Sequence, residues 1–462
     1  EALDAQIESV ETNLTKEIYI SEDILGTLRN SRGDNKYTYH PEFNIEYSNN
    51  LYGFKEKEII SFPKSFRTDF LINESTAYPP LYYRLGSFFN IGTFFDRVFA
   101  VRLLTGLIGI LTFVVVYLVG KILYKEPLKQ ISLALITSFA PMFMFVNSGV
   151  TSDSLFNLIF SVFLLLCLLL IKNGLNIAVF IAVGIVFILG INTKPQANIM
   201  AFIFLPILIF LFFKSKKKVL FLPFVILGTI LVFGEIIRKI LGGVSIFPEA
   251  SSVKFSIPAV MEHFQFNLNH TYREVLPWYW GVFRWLSLGL PPVLRQITNV
   301  LTIVSFVGFF VSLYKKSFKE LTPKVFMFFA LIIYFLAITA FDFGFRQSHG
   351  FSFGIQGRYF FPVAAVVSMI IIDGMGFLFD RITKSFYIFF LDIGMVLFNV
   401  ITFFYLMFTY YEKSFPGFFI QASQYKPLWL KYPVNLIILV GYLICSLLLL
   451  LFITRKKLLP VL

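Results

Sequence analysis

VFAVRLLTGLIGILTFVVVYLVGKIL, residues 98–123, decides the fold class. Between Arg102 and Lys121 no residue is charged. A helix rises about 1.5 Å per residue, so such a run covers the hydrocarbon core of a bilayer, about 30 Å thick. Ten further apolar runs follow, at about 130–148, 153–171, 176–192, 196–213, 219–237, 297–314, 324–343, 357–379, 386–409 and 434–453. Several are separated by only a few residues and read as antiparallel helical hairpins. The expectation is an all-α polytopic membrane protein with about eleven transmembrane helices.

Composition agrees. Hydrophobic residues make up 57% of the 462 positions and charged residues 15%, against roughly 25% charged in a soluble domain. That balance excludes an ordinary cytosolic enzyme, a disordered chain and a fibrous repeat. Phe reaches 60 residues and Trp only 4, a usage suited to lipid-facing helices. Cys167 and Cys445 each lie inside an apolar run, so no disulfide framework is available. Four His residues, at 40, 263, 270 and 349, leave no cluster with zinc spacing.

The net charge of +13 is unevenly spread. Residues 1–78 hold 8 Lys+Arg against 14 Asp+Glu, a net −6, and the remainder carries +19. Nucleic-acid binding does not explain the basic part. Lys121, Lys125 and Lys129, then Lys172, Lys214, Lys315, Arg381 and Arg455 with their basic neighbours fall in every alternate loop. The positive-inside rule places those loops and the C-terminus in the cytoplasm, in an inner (plasma) membrane. Residues 1–97 and 238–296 become two long extracytoplasmic loops, flanking spans one to six (98–237) and preceding spans seven to eleven (297–462). Exporting the acidic first loop requires a span upstream of Glu1, so about twelve spans and a cytoplasmic N-terminus are expected.

Both long loops are aromatic-rich. Pro79-Pro80-Leu81-Tyr82-Tyr83-Arg84 leads into Phe88 and Phe89, and Trp278, Tyr279, Trp280, Phe283 and Trp285 precede Pro291-Pro292. Such stretches lie along membrane interfaces and can roof a cavity there. Polar residues in the spans gather toward the outer ends. Arg102, Asp153, Lys194, Asp342, Arg346, Gln356 and Arg358 come from five separate elements at one depth, while Asp373, Arg381 and Asp392 lie toward the inner side. Cations at the outer face run against the charge bias, so topology alone does not account for Lys194, Arg102 and Arg358. A phosphate-headed lipid would present its anion at this depth, where Arg forks and a Lys charge match it.

The order of motifs resembles that of the GT-C superfamily of integral-membrane glycosyltransferases. Tyr78-Pro79-Pro80-Leu81-Tyr82-Tyr83 is similar to its "PPLYY" segment. Phe99-Ala100-Val101-Arg102 resembles the arginine-bearing start of the following span. Gly149-Val150-Thr151-Ser152-Asp153-Ser154-Leu155, Gly190-Ile191-Asn192-Thr193-Lys194 and Gln356-Gly357-Arg358-Tyr359-Phe360-Phe361-Pro362 resemble its later turns. With Trp280-Gly281-Val282-Phe283-Arg284-Trp285, they point to a bacterial branch of predicted membrane glycosyltransferases. The likeness covers roughly residues 75–365.

The resemblance implies an inverting transferase that moves a sugar from a polyprenyl-phosphate donor to an extracytoplasmic acceptor in the cell envelope. Asp153, Glu74 and Asp69 are the carboxylate candidates, with Asp153 foremost because it opens a helix at the right depth. Lys194, Arg358, Arg102 and Arg84 are candidate phosphate contacts, and Gln356 and Tyr82 complete the substrate-binding set. The superfamily usually carries an acidic residue early in the first outer loop, where this chain offers Asp4 and Glu8. A divalent metal is a possible cofactor of such enzymes, although the sequence names no metal ligands. Expected partners are membrane lipid, the lipid-linked sugar and the acceptor, with no nucleic acid. The competing readings are a transporter or lipid-linked glycan flippase, a glycan polymerase or ligase, and a non-catalytic scaffold.

Overall fold

The computed structural model describes residues 19–21, 51–52, 67–70, 79–214, 256–283, 288–315, 318–383, 386–411 and 417–458. Two short antiparallel pairs accompany the helices. Strand β1 (Tyr19–Ser21) pairs with β2 (Arg67–Phe70), and β3 (Val282–Phe283) with β4 (Leu288–Gly289). The rest of the described architecture is helical, as the hydropathy dictates.

Helix α1 (Leu81–Ser87) precedes α2 (Phe94–Leu123), whose 30 residues form the longest stretch of the opening hairpin. Thr93 caps α2: its hydroxyl accepts from the Asp96 N–H at 3.3 Å while the Asp96 carboxylate accepts the Thr93 N–H at 2.9 Å. Within α2, the Thr105 and Thr112 hydroxyls donate to the carbonyls of Val101 and Ile108, at 2.9 Å each. In an apolar medium those local bonds remove the cost of an unsatisfied hydroxyl.

The run at 130–148 is not one straight span. It forms α3 (Pro127–Ser138) and α4 (Pro141–Asn147), bent by 65°. Pro141 supplies the reason. It has no N–H to continue the ladder and drives Ala140 to extended backbone, at φ −57° and ψ 121°. Helix α5 (Ser152–Asn173) runs back through the bundle, followed by α6 (Ile177–Ile191) and α7 (Ile199–Lys214). With 15 residues, α6 reaches about 22 Å and falls short of a full crossing. The run at 219–237 lies outside the described residues.

Helix α8 (Ile257–His270) continues through a π turn at Thr271–Val275 into α9 (Leu276–Trp280). Then come α10 (Pro292–Lys315), α11 (Phe318–His349), a 3-10 turn at Gly357–Val363, α12 (Ala364–Thr383), α13 (Phe386–Tyr410), the short α14 (Gly417–Gln421) and α15 (Val434–Leu458). Among the described residues eight helices are long and apolar enough to cross a membrane, or nine with the bent pair as one. The chain is an all-α multi-pass membrane protein.

Helix α5 and the 357–379 stretch are the most enclosed spans described, and α15 is the least. Small residues bring α10 and α12 into backbone contact. A Cβ on Gly308 would meet the Gly374 carbonyl, and one on Gly374 the Ser305 carbonyl. Without a hydrophobic drive between helices in lipid, such close approach provides much of the attraction.

Candidate functional site

The starts of α2 and α5 and the end of α6 meet at one end of the bundle. Thr151 caps α5, its hydroxyl accepting from the Asp153 N–H at 3.2 Å. Asp153 therefore stands in the first turn, where the helix dipole favours a negative charge. The turn after α6 brings Lys194 opposite. Gly190 accepts both the Thr193 and Lys194 N–H groups at 2.9 and 2.8 Å, and Pro195 holds Lys194 extended. The Lys194 ammonium donates to the Asp153 carboxylate, with the two side chains only 15% and 12% exposed.

A third element adds a second cation. Arg358 sits in the 3-10 turn before α12, and its charge acts on Asp153 together with that of Lys194. Its Nε is buried and has no hydrogen-bond partner among the described residues. The turn is fixed from below by close packing. A Cβ on Gly357 would run into the Tyr279 backbone nitrogen, so only Gly lets this turn sit on α9. The His270 Nε2 is 2.8 Å from the Ile355 carbonyl, tying α8 to the same segment. Asp342 holds the preceding loop by accepting from the Ser352 hydroxyl at 2.9 Å and the Phe353 N–H at 2.7 Å, and it meets His263 at 3.2 Å.

Tyr82 completes this end. Its hydroxyl lies 2.7 Å from Thr105 Oγ1 and accepts the Thr151 N–H at 3.0 Å. Thr105 donates onward to Val101, so Tyr82 is the donor to Thr105. Burial pushes the Tyr82 phenol up, with the nearby Asp153 charge adding to the effect, so the group stays protonated. Tyr334, fully buried on α11, also lies within the field of Asp153. Tyr334 carries no signal in the sequence, because one Tyr in an apolar run looks like core.

Asp153, Lys194, Arg358 and Tyr82 thus come together, and the remaining candidates separate from them. Gln356 is half-buried beside Arg358, with its carbonyl accepting the Tyr359 N–H at 3.0 Å. Arg84 is exposed on α1. Asp69 stands in β2 opposite Ile20. Glu74, Asp4 and Glu8 lie outside the described residues. Arg102 faces a different place. Its Nε donates to the Ser148 carbonyl at 2.7 Å, and its guanidinium carbon is 4.6 Å from the Phe99 ring centre. It lines a cavity of about 500 Å³ between α4, α13, α14 and α15, where the half-buried Lys426 joins it. Asp153, Lys194 and Arg358 are not among that cavity's lining side chains.

The donors at the Asp153 end do not fit a metal ion. Two cations neighbour the carboxylate, and among the described residues no group of three His, Cys, Asp or Glu has the geometry to hold one. What the arrangement offers, among the described residues, is a desolvated carboxylate with more positive than negative charge around it.

Residues 61–367 match the family described as predicted membrane protein, DUF2142. The chain belongs to DUF2142. The DUF2142 match contains every element of the Asp153 end and stops within α12, so α13–α15 and Lys426 lie beyond it. No curated protein and no solved structure matches the chain.

Proposed function

We propose that the protein is a membrane glycosyltransferase that moves a sugar from a polyprenyl-phosphate donor to an acceptor at the extracytoplasmic face. The observation that carries this reading is Asp153, held by Lys194 with Arg358 in its field, three groups from three elements at one end of the bundle. An acceptor hydroxyl attacks the anomeric carbon, and its proton passes to Asp153. The C–O bond to the phosphate breaks, and the leaving phosphate takes the bonding pair. Lys194 and Arg358 stabilise that charge in a dehydrated site, where fixed cations are most effective. Lys194 then exchanges part of its hold on Asp153 for the phosphate. Tyr82 keeps the capped start of α5 in position through Thr151 and Thr105.

A flippase is favoured by a different observation, the 65° break between α3 and α4, because interrupted helices are frequent in transporters. One experiment separates the two. The protein is reconstituted in vesicles with radiolabelled polyprenyl-phosphate sugar and an acceptor-containing envelope fraction. Covalent label on the acceptor supports transfer, and movement of intact labelled lipid between leaflets without transfer overturns it. Lys194→Ala or Arg358→Ala should lower donor turnover at least about tenfold, the order expected for one charged contact to a phosphate. Membrane insertion should stay normal. Wild-type turnover in both variants removes the phosphate assignment.

A further inference from the structure

The cavity at Arg102 is set apart from the Asp153 end and has its own chemistry. Most of its wall is apolar, with Phe403, Leu406, Ile438 and Leu439 prominent. Arg102 and Lys426 stand on its wall, and among the described residues neither forms an ion pair with a carboxylate. They are close enough for Arg102 to act on Lys426, whose ammonium is pushed down to about 8, first by burial, then by Arg102 and Lys431. Like charges brought together beside an apolar hollow cost free energy unless an anion joins them.

Two further polar groups face the same space. Thr402 is 1% exposed and its hydroxyl has no partner among the described residues. Asn435 donates to the Phe419 carbonyl and Ser423 Oγ at 3.1 Å each, while its side-chain carbonyl oxygen is buried without a partner among the described residues. One wall of the cavity is α15, the least enclosed of the described spans, which puts the hollow beside bilayer lipid.

We propose that this cavity binds an anionic phospholipid of the surrounding bilayer, with its phosphate between Arg102 and Lys426 and one acyl chain along α13 and α15. Charge complementarity selects an anionic headgroup over a zwitterionic one. The site is accessory, because the groups that would handle a reacting phosphate, Lys194 and Arg358, do not line it. It holds whether the protein transfers sugars or moves lipids. Besides Arg102, the groups acting on Lys426 or facing the cavity are Lys431 before α15, Tyr410 at the end of α13 and Tyr442 on α15.

The test is native mass spectrometry of the full chain in neutral detergent, titrated with phosphatidylglycerol or with phosphatidylcholine of the same acyl chains. Phosphatidylglycerol should bind at least about tenfold more tightly. Lys426→Gln should remove that preference. Leu439→Trp, which fills the hollow and leaves both cations in place, should weaken binding of phosphatidylglycerol about as much. Affinity should fall as pH rises past about 8, where Lys426 loses its charge. Equal binding of the two lipids overturns the proposal, as does wild-type binding by both variants. Complete displacement of phosphatidylglycerol by an equimolar polyprenyl phosphate also overturns it, by making the cavity a carrier-lipid seat. None of these readouts uses sugar transfer, so failure here is distinct from failure of the transferase reading.

Discussion

Each end of the helix bundle buries a Lys–Asp pair, and the two pairs differ in their surroundings. At the far end of α2, Lys324 meets Asp373 at 2.7 Å, and its ammonium lies 4.4 Å from the ring centre of Tyr124. Both partners come from long helices, α11 and α12, with one charge of each sign in the pair. At the near end, Lys194 and Asp153 come from a turn and a helix start, and Arg358 brings a second positive charge, its Nε without a hydrogen-bond partner among the described residues. A pair of one cation and one anion leaves no net charge for a ligand to neutralise. Among the described residues the near pair carries a surplus cation, and in the proposed reading that surplus, rather than the ion pair itself, is the place for an anionic ligand.

The largest expected difference between the ends is in catalysis. Asp153→Asn should lower sugar transfer by about 10²-fold or more, the usual weight of a general base. Asp373→Asn should leave turnover within about twofold per inserted, folded protein, since a buried pair at the opposite end makes no contact with the reacting groups and does not enter transition-state binding. Initial rates in vesicles, normalised to inserted protein, measure both. Equal losses would erase the distinction.

Stability should show the reverse at the balanced end. Lys324→Met leaves Asp373 buried and unpaired, at a cost of about 3–5 kcal/mol. A lowered thermal midpoint in detergent with transfer intact is the expected result. A lowered rate with an unchanged midpoint would make that end functional.

The smallest effects come from the close-packed glycines. Gly374→Ala pushes a Cβ into the Ser305 carbonyl, and Gly357→Ala pushes one into the Tyr279 backbone. Each should cost about 1–3 kcal/mol of stability from overpacking. Only Gly357→Ala should also slow transfer, because it displaces the turn carrying Arg358. Comparing rate and midpoint for the two variants sharpens the assignment of Arg358.

The spans were legible because apolar length is a direct physical requirement of the bilayer. The break between α3 and α4 was harder to read, since Phe139, Ala140 and Met142 keep the run apolar and Pro141 is the one local signal. Asp153, Lys194 and Arg358 stood out as charges in short segments between long apolar runs. Arg102 shows the limit of that reading. Hydropathy reports depth along a helix and not the direction a side chain takes around it, so Arg102 was placed with Asp153 by depth and yet lines a cavity that Asp153 does not. Lys426 gave no signal at all. In a mixed loop a Lys reads as solvated, and only the folding of that loop beside α2 and α13 brings it to Arg102.

The bend after α3 has a mechanical side. Phe139 and Ala140 alone join the seven-residue α4 to its parent helix, and the main chain just past its tip grips Arg102 through the Ser148 carbonyl. Pro141, Met144 and Phe145 of the same arm form part of the wall of the Arg102 cavity. The corner is pinned from α13: the Asn399 amide donates to the Phe139 carbonyl at 3.0 Å on one side of it and to Met144 Sδ at 2.8 Å on the other. Wall, elbow and guanidinium therefore share one anchorage, and Asn399 itself faces the hollow.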